Sequence, residues 1–398
     1  MSIPKKILIV MGTRPEAVKL APLFEKMTSN GSAFNVSVCV TGQHRSMLDQ
    51  VLKAFDIVPV ADLDVMSPGQ TLDMVMAKVV QRFSEVIRQA KPDLVVVQGD
   101  TTSAFAAGLA SFYEKVPIAH VEAGLRTGNK HSPFPEEVNR RLISPLIDLH
   151  FAPTEQSRQN LLRENVAPGQ IFVTGNTVVD ALHSVTSRIS SDCSLKNALA
   201  ERYGFLDPKR RLILVTGHRR ENFGAPLRNM CLALVDILLK EPGAEILFPV
   251  HLNPNVQTAV FQVLGEVPER VRARIHLTPP VEYLDFIYLM MRSHLIITDS
   301  GGVQEEAPSL QKPVLVTREN TERPEAVEAG TAVLVGTERE LVVSTALRLL
   351  QNPAAYASMQ RADNPYGDGK ACDRICEILQ ATFTAAQTER EGVHEYIG

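Results

Sequence analysis

The chain has 398 residues, of which 44% are hydrophobic and 22% charged, so two or three domains with substantial cores are expected at roughly 100 to 200 residues per domain. Forty-one Lys and Arg against 45 Asp and Glu leave a formal charge of −4, which argues against a general nucleic-acid or anionic-membrane surface. No run approaches the ~18 uninterrupted apolar residues of a membrane helix, and with no Trp and 6% aromatics a surface of aromatic stacking platforms is disfavoured.

Short β-rich runs recur along the chain, each ending in Gly or polar residues and followed by a helical stretch. The first half carries Ile7 to Gly12, Val36 to Gly42, Leu94 to Asp100, Ile118 to Gly124, Leu149 to Thr154 and Ile171 to Asn176. After a polar segment, Ser184 to Arg211, the pattern restarts with Leu212 to His218, Glu245 to His251, Ile275 to Pro280, Leu295 to Gly302, Pro313 to Asn320 and Thr331 to Gly336. Near-continuous apolar strands alternating with helices predict parallel sheets covered on both faces, and two such series predict an α/β protein of two Rossmann-like domains. The expected division is 1–180 and 181–369, followed by a tail helix, Ala371 to Ala385, within about 370–390, that could pack on either domain.

Five cysteines, Cys39, Cys193, Cys231, Cys372 and Cys376, form no CxxC pair, which fits a reducing compartment. Cys372 and Cys376, one helical turn apart, read as residues of a helix face and not as half a zinc site. The segment Met1 to Lys6 leads directly into the strand-like Ile7 to Met11 without a cleavage signature, so a cytoplasmic protein is expected.

Ligands of open parallel sheets bind outside the carboxyl ends of the strands, so the polar residues that end each run are the ones to inspect. If two such domains face each other across a cleft, both sets converge there. The turn after the first run reads Gly12-Thr13-Arg14-Pro15-Glu16 in place of GxGxxG, which disfavours bound nicotinamide or flavin. Walker and HExxH patterns are absent, the lone DxD (Asp62 to Asp64) reads as solvated loop charge, and no metal is expected. Gly12 to Pro15 suits a loop-to-helix anion site, with a small residue for close approach and an Arg that can fork onto phosphate, or else a plain turn with a solvated Arg.

Asp299-Ser300-Gly301-Gly302-Val303-Gln304-Glu305-Glu306 makes a stronger diphosphate site, two glycines and a hydroxyl preceding a helix start. Its two acids would repel phosphate unless one bonds a neutral partner such as a ribose diol; the bland alternative is that they are helix-start charges. Asp100, Glu122 and Glu136 stand at strand ends or nearby loops and suit acid–base chemistry at a sugar carbon, although Asp100 could equally cap the helix that begins at Thr101. His218, before Arg219 and Arg220, could support an anionic leaving group.

These segments, with Gln98-Gly99-Asp100-Thr101-Thr102, His120-Val121-Glu122-Ala123-Gly124-Leu125-Arg126-Thr127, Pro135-Glu136-Glu137-Val138-Asn139-Arg140, Gly175-Asn176-Thr177, His218-Arg219-Arg220-Glu221-Asn222, Thr321-Glu322-Arg323-Pro324-Glu325 and Asn364 to Gly369, resemble the non-hydrolysing UDP-N-acetylglucosamine 2-epimerases. The match runs in order over about residues 5 to 380. It implies a glycosyltransferase B-type fold with the last helix crossing back to the first domain, a homodimer formed through that domain, and no cofactor. It implies interconversion of UDP-N-acetylglucosamine and UDP-N-acetylmannosamine, feeding bacterial surface polysaccharide synthesis, by elimination of UDP to 2-acetamidoglucal and re-addition.

Carried over by position, the resemblance implies that Asp100, Glu122, Glu136 and His218 are catalytic. Arg14, the Ser300-Gly301-Gly302 segment and Arg323 would then lie near phosphates, Glu306 on the ribose, Phe286 near uracil and Lys19 toward the cleft floor. Gln43, Gln70, Glu136, Arg219 and His251 fit the pattern of a second, activating UDP-N-acetylglucosamine, while Ser46 and Gly69 depart from it. The competing readings are a glycosyltransferase of the same fold, a hydrolysing epimerase, an epimerase of a related UDP-2-acetamido sugar, and a non-enzymatic sugar-nucleotide sensor.

Overall fold

The structure is a computed structural model, and it describes residues 4–29, 32–42, 45–67, 69–217, 219 and 222–395, with the side chains of 45–47 and 386–395 outside the description. The chain divides into two units, one of residues 1–181 and 366–398, the other of residues 182–365.

Unit 1 is built on seven parallel strands: β1 (Lys5–Met11), β2 (Phe34–Val40), β3 (Ala61–Asp62), β4 (Leu94–Gln98), β5 (Ile118–Val121), β6 (Leu149–Ala152) and β7 (Ile171–Val173). They lie in the order β3-β2-β1-β4-β5-β6-β7. The runs between helices are apolar on both faces because helices cover both, as in Ile7, Leu8 and Ile9, all fully buried. One strand was not expected. β3 makes only two ladder pairs, Cys39 with Ala61 and Val40 with Asp62, and it carries no apolar run, so the first part of the Asp62–Asp64 stretch is an edge strand and not loop. Asp62 Oδ1 accepts the Asp64 N–H at 2.9 Å, closing the turn that follows.

On one face, Val95, Val97, Leu8 and Val10 pack with Phe83 and with Ala104, Ala107 and Ala110, whose small side chains bring the helix Thr102–Tyr113 close to the sheet. The final helix, Ala371–Glu395, belongs to this unit. The Asp180 carboxylate accepts from the N–H groups of Ala371 at 3.2 Å and Cys372 at 2.9 Å, satisfying orphan donors at that helix start. Cys372 and Cys376 are buried along it, as helix-face packing requires.

Unit 2 holds a six-stranded parallel sheet: β8 (Arg211–Thr216), β9 (Ala244–Pro249), β10 (Ile275–Thr278), β11 (Leu295–Thr298), β12 (Val314–Val316) and β13 (Ala332–Leu334), in the order β10-β9-β8-β11-β12-β13. Ile213, Val215, Ile246, Phe248 and Ile297 form its core with Leu234, Ile237 and Leu349 from the covering helices. Among the described residues no helix is long and apolar enough to cross a membrane.

Candidate active site

Each sheet has one place where the strand order reverses, between β1 and β4 in unit 1 and between β8 and β11 in unit 2. Crevices open outside the carboxyl ends of strands at such points. Gly12 and Gly99-Asp100 leave the first pair, and Gly217 and Asp299 leave the second.

Asp100 is fixed by Arg140 of the helix Glu136–Ile143. Arg140 Nε and Nη2 both reach Asp100 Oδ2, at 2.9 and 2.6 Å, and Asn139 Nδ2 donates to the Asp100 carbonyl at 2.9 Å. Asp100 is not the cap of the next helix. Thr101 is, its hydroxyl accepting from the Ala104 N–H at 3.0 Å, which leaves the Asp100 carboxylate to Arg140. The same guanidinium reaches Glu137 Oε2 at 3.2 Å. Burial works against ionisation of Glu137, but the Thr127 and Gly128 N–H groups and Arg140 hold its carboxyl below the usual range. Glu136, half-buried, opens the same helix one residue earlier.

Glu122 follows β5 with φ of +64°, a left-handed conformation uncommon for a residue with a side chain. Its Oε2 receives Lys19 Nζ, Gln98 Nε2 at 3.0 Å and Asn176 Nδ2 at 3.3 Å. Lys19 comes from the helix Arg14–Thr28, Gln98 from the end of β4, and Asn176 from the turn after β7. Three donors, one of them a cation, converge on a buried oxygen, which fixes the orientation of the Glu122 carboxyl. Arg14, partly buried, is the first residue of its helix.

In unit 2, Ser300-Gly301-Gly302 opens a helix of six residues, Gly301–Glu306, which continues as a 3-10 turn over Ala307–Leu310. The two acids do not occupy its first turn. They lie at its end, so neither stabilises the helix start, contrary to that alternative. Glu305 instead accepts from Arg323 Nε at 2.8 Å, and Glu306 from the Tyr283 hydroxyl at 2.8 Å. A Cβ on Gly301 would stand 2.8 Å from Arg323 Cζ, so only glycine admits this guanidinium against the segment. Arg323 Nη1 also donates to Glu322 Oε1 at 2.7 Å, and Glu322 further meets Arg318 at 2.6 Å and Arg219 at 3.4 Å. Burial opposes its charge, yet Arg323, Arg219 and Arg318 hold Glu322 well below the usual carboxylate range.

Asp299 Oδ2 accepts from the Arg219 N–H at 2.9 Å and from Asn222 Nδ2 at 3.2 Å, joining these two residues to the end of β11. Phe286, half-buried, sits one turn from Tyr283 on the helix Tyr283–Arg292, so both side chains share a face.

Unit 1 therefore brings together Lys19 and Glu122, and unit 2 gathers Arg219, Ser300, Gly301, Gly302, Glu306 and Arg323. Of the residues read as regulatory, Gln70 is tied locally, accepting from the Ser67 N–H at 2.7 Å. His251 is exposed, its Nδ1 accepting from the Asn253 N–H at 3.1 Å. His218 and Gln43 lie outside the described residues, as does the Ser46 side chain. Sequence reasoning assigned no role to Arg140, Gln98, Asn176, Tyr283, Arg318 or Glu322, although all but Tyr283 and Arg318 fall inside motifs it singled out. Among the described residues no group of three or more His, Cys, Asp or Glu could hold a metal ion.

Unit 1 can thus present carboxylates to a proton in transit, and unit 2 can cradle a polyanion against buried guanidinium. The family described as UDP-N-acetylglucosamine 2-epimerase matches residues 26–380 of the chain. The UDP-N-acetylglucosamine 2-epimerase of Escherichia coli (strain K12) is 53% identical over 375 residues, covering 94% of this chain and 98% of that one. A crystal structure of UDP-GlcNAc 2-epimerase from Neisseria meningitidis bound to UDP-GlcNAc superposes with a TM-score of 0.88 at 46% identity, covering 94% of this chain and all of that one. That of Methanocaldococcus jannaschii, in complex with UDP-GlcNAc and UDP, gives 0.79 at 33% identity, over 94% and 99% of the two chains. The chain belongs to the UDP-N-acetylglucosamine 2-epimerase family.

Proposed function

We propose that this protein is a non-hydrolysing epimerase that interconverts UDP-N-acetylglucosamine and UDP-N-acetylmannosamine. The C2 proton of the intact sugar is not acidic, so the reaction begins by elimination. A carboxylate takes the C2 proton as the C1–O bond breaks, UDP leaves with the bonding pair, and a C1–C2 double bond forms. Re-addition reverses these changes with C2 protonated from the other face, so atoms and charge balance without a hydride acceptor, and no nicotinamide is needed.

The observation that carries this reading is that Asp100 and Glu122, at the ends of adjacent strands, are each oriented by their own cation. Acid–base work at one carbon needs carboxylates held in place and in known charge states. In this reading Asp100, Glu122 and Glu136 serve the proton transfers and Lys19 orients Glu122. His218 supports the departing diphosphate. Unit 2 holds UDP, with Arg323 and Ser300-Gly301-Gly302 near phosphate, Glu306 on the ribose and Phe286 against uracil; Arg14 adds a cation for phosphate. Arg219, His251, Gln70 and Gln43 would serve a second, activating UDP-N-acetylglucosamine. Exposed Phe112, Tyr113 and Leu142 on unit 1 suit the apolar contact of a homodimer.

Incubation with UDP-N-acetylglucosamine in deuterated water, followed by NMR, tests the proposal. Deuterium at C2 together with UDP-N-acetylmannosamine supports it. Stoichiometric release of free UDP and N-acetylmannosamine would assign the hydrolysing reaction instead, and an unchanged spectrum at high enzyme would overturn both.

A further inference from the structure

Glu16 takes no part in the assignment above, yet it is 2% exposed beside two of the segments that assignment uses. It is the third residue of the helix Arg14–Thr28, so Thr13 and Glu16 stand at the positions of a capping box, although Thr13 makes no side-chain cap bond. An ordinary capping box faces water. Here both positions are enclosed, and the Glu16 carboxyl bonds across to the loop after β4, Oε1 accepting from the Thr101 hydroxyl at 2.9 Å. That hydroxyl already accepts the Ala104 N–H, so its single proton is committed to Glu16.

Gly12 closes the chamber. A Cβ there would lie 2.8 Å from Ser103 Cβ, 2.9 Å from Thr41 Oγ1 and 3.1 Å from Glu16 Oε2. One buried carboxyl therefore touches the starts of two helices. The first begins with Arg14, and the second is preceded by Asp100.

We propose that Glu16 is a positioning residue for the reaction, tying the Gly12–Arg14 turn to the Asp100–Thr101 turn so that phosphate contact and proton transfer keep a fixed geometry. The inference rests on the reading of Arg14 and Asp100 given above. A merely structural cap would, when lost, lower the melting temperature but leave turnover per folded molecule intact. A positioning group lowers turnover in molecules that remain folded.

The test follows C2 deuterium exchange of UDP-N-acetylglucosamine in Glu16→Ala, Glu16→Gln, Thr101→Val and the Glu16→Ala/Thr101→Val double variant, with circular dichroism to establish folding. Glu16→Ala and Thr101→Val are each expected to lower kcat at least tenfold, and Glu16→Gln, which keeps an acceptor for Thr101, to recover to within threefold of the parent. The double variant should fall no further than the slower single variant, because both break one link. Exchange by folded Glu16→Ala within twofold of the parent, or losses that multiply in the double variant, would overturn the proposal. If Glu16→Ala does not fold, Glu16→Asp, which draws the acid back by one methylene, is held to the same thresholds. Asp100→Asn is run in parallel: undiminished exchange there overturns the site reading itself, whereas its loss beside a fully active Glu16→Ala overturns only the role of Glu16.

Discussion

Arg140 grips Asp100 through two nitrogens on one carboxylate oxygen while a third nitrogen reaches Glu137. Replacing Asp100 by Asn keeps the shape but weakens the pair and removes the proton acceptor. Turnover should fall by about 10²- to 10⁴-fold, the range typical of a lost general acid or base, with stability changed by about 1 kcal/mol. Arg140→Met should differ in kind. It removes one cation from the fully buried Glu137 carboxylate, leaving the Thr127 and Gly128 N–H groups and Arg141, and takes the guanidinium from Asp100, so a stability loss of about 3 kcal/mol accompanies the loss of turnover. Urea midpoints and the exchange rate, measured on both variants, separate the two; equal stability of Arg140→Met and the parent would show that the backbone N–H groups and Arg141 suffice for Glu137.

That pairing also marks where sequence reasoning stops. The strand ends were legible because apolar runs with polar termini recur, and they led to Gly12, Asp100, Glu122 and Asp299. The partners that orient those groups were not, since Arg140 lies 40 residues beyond Asp100 and Lys19 lies 103 before Glu122. Only the sheet order and the helix rotation bring them together. The acids Glu305 and Glu306 show the complementary failure: their spacing from Gly301 was visible, but the helix ends at Glu306 and turns 3-10, so they meet Arg323 and Tyr283 and not free backbone N–H groups. β3 escaped notice because two residues carry no period.

Glu16 gives a pH signature in stability. Burial pushes its acid up to about 7 from an ordinary 4.5, with Asp100 adding to the rise against the hydrogen bond of Thr101. Between those values the native chain binds the proton and the unfolded chain does not, so stability falls as pH rises. The contribution is complete below about pH 4.5 and lost above about 7, for a total of about 3 kcal/mol. Glu16→Gln carries no such proton. Its stability relative to the parent should therefore increase by up to that amount between pH 4.5 and pH 8, read from urea unfolding at each pH; a difference that stays constant over the range would show that this buried acid does not titrate.

His120 and His150 impose the opposite trend in the same unit. They face each other in register across β5 and β6, both nearly inaccessible. His120 Nε2 lies 2.7 Å from the Gly99 carbonyl, whereas neither nitrogen of His150 has a hydrogen-bond partner among the described residues. Burial lowers His120 to about 4 and His150 to about 3, each from 6.5. Below pH 6.5 the unfolded chain takes protons that the native chain refuses, so stability declines as pH falls toward 4 and then 3. For His120 alone the full loss is about 3 kcal/mol. His150→Leu, which removes a group making no hydrogen bond, should flatten the fall in urea midpoint between pH 7 and pH 4. An unchanged slope would mean that other groups govern acid unfolding.

Gly301 tests the anion site without touching charge. Its missing Cβ leaves room for the Arg323 guanidinium, which also bonds Glu305 and Glu322. Glu322 is anchored in turn by Arg318, so Arg323 cannot retreat without breaking a buried ion pair. Gly301→Ala should therefore displace Arg323 from the segment that, in the proposed function, lies against phosphate. UDP affinity is expected to drop about tenfold to a hundredfold, the value of one or two charge-assisted hydrogen bonds. Gly302→Ala offers the comparison, since a Cβ there meets nothing closer than 3.9 Å and should leave packing undisturbed. Calorimetric titration with UDP resolves the pair: a larger loss in Gly301→Ala than in Gly302→Ala supports a diphosphate held against Arg323, and equal affinities would place the diphosphate elsewhere.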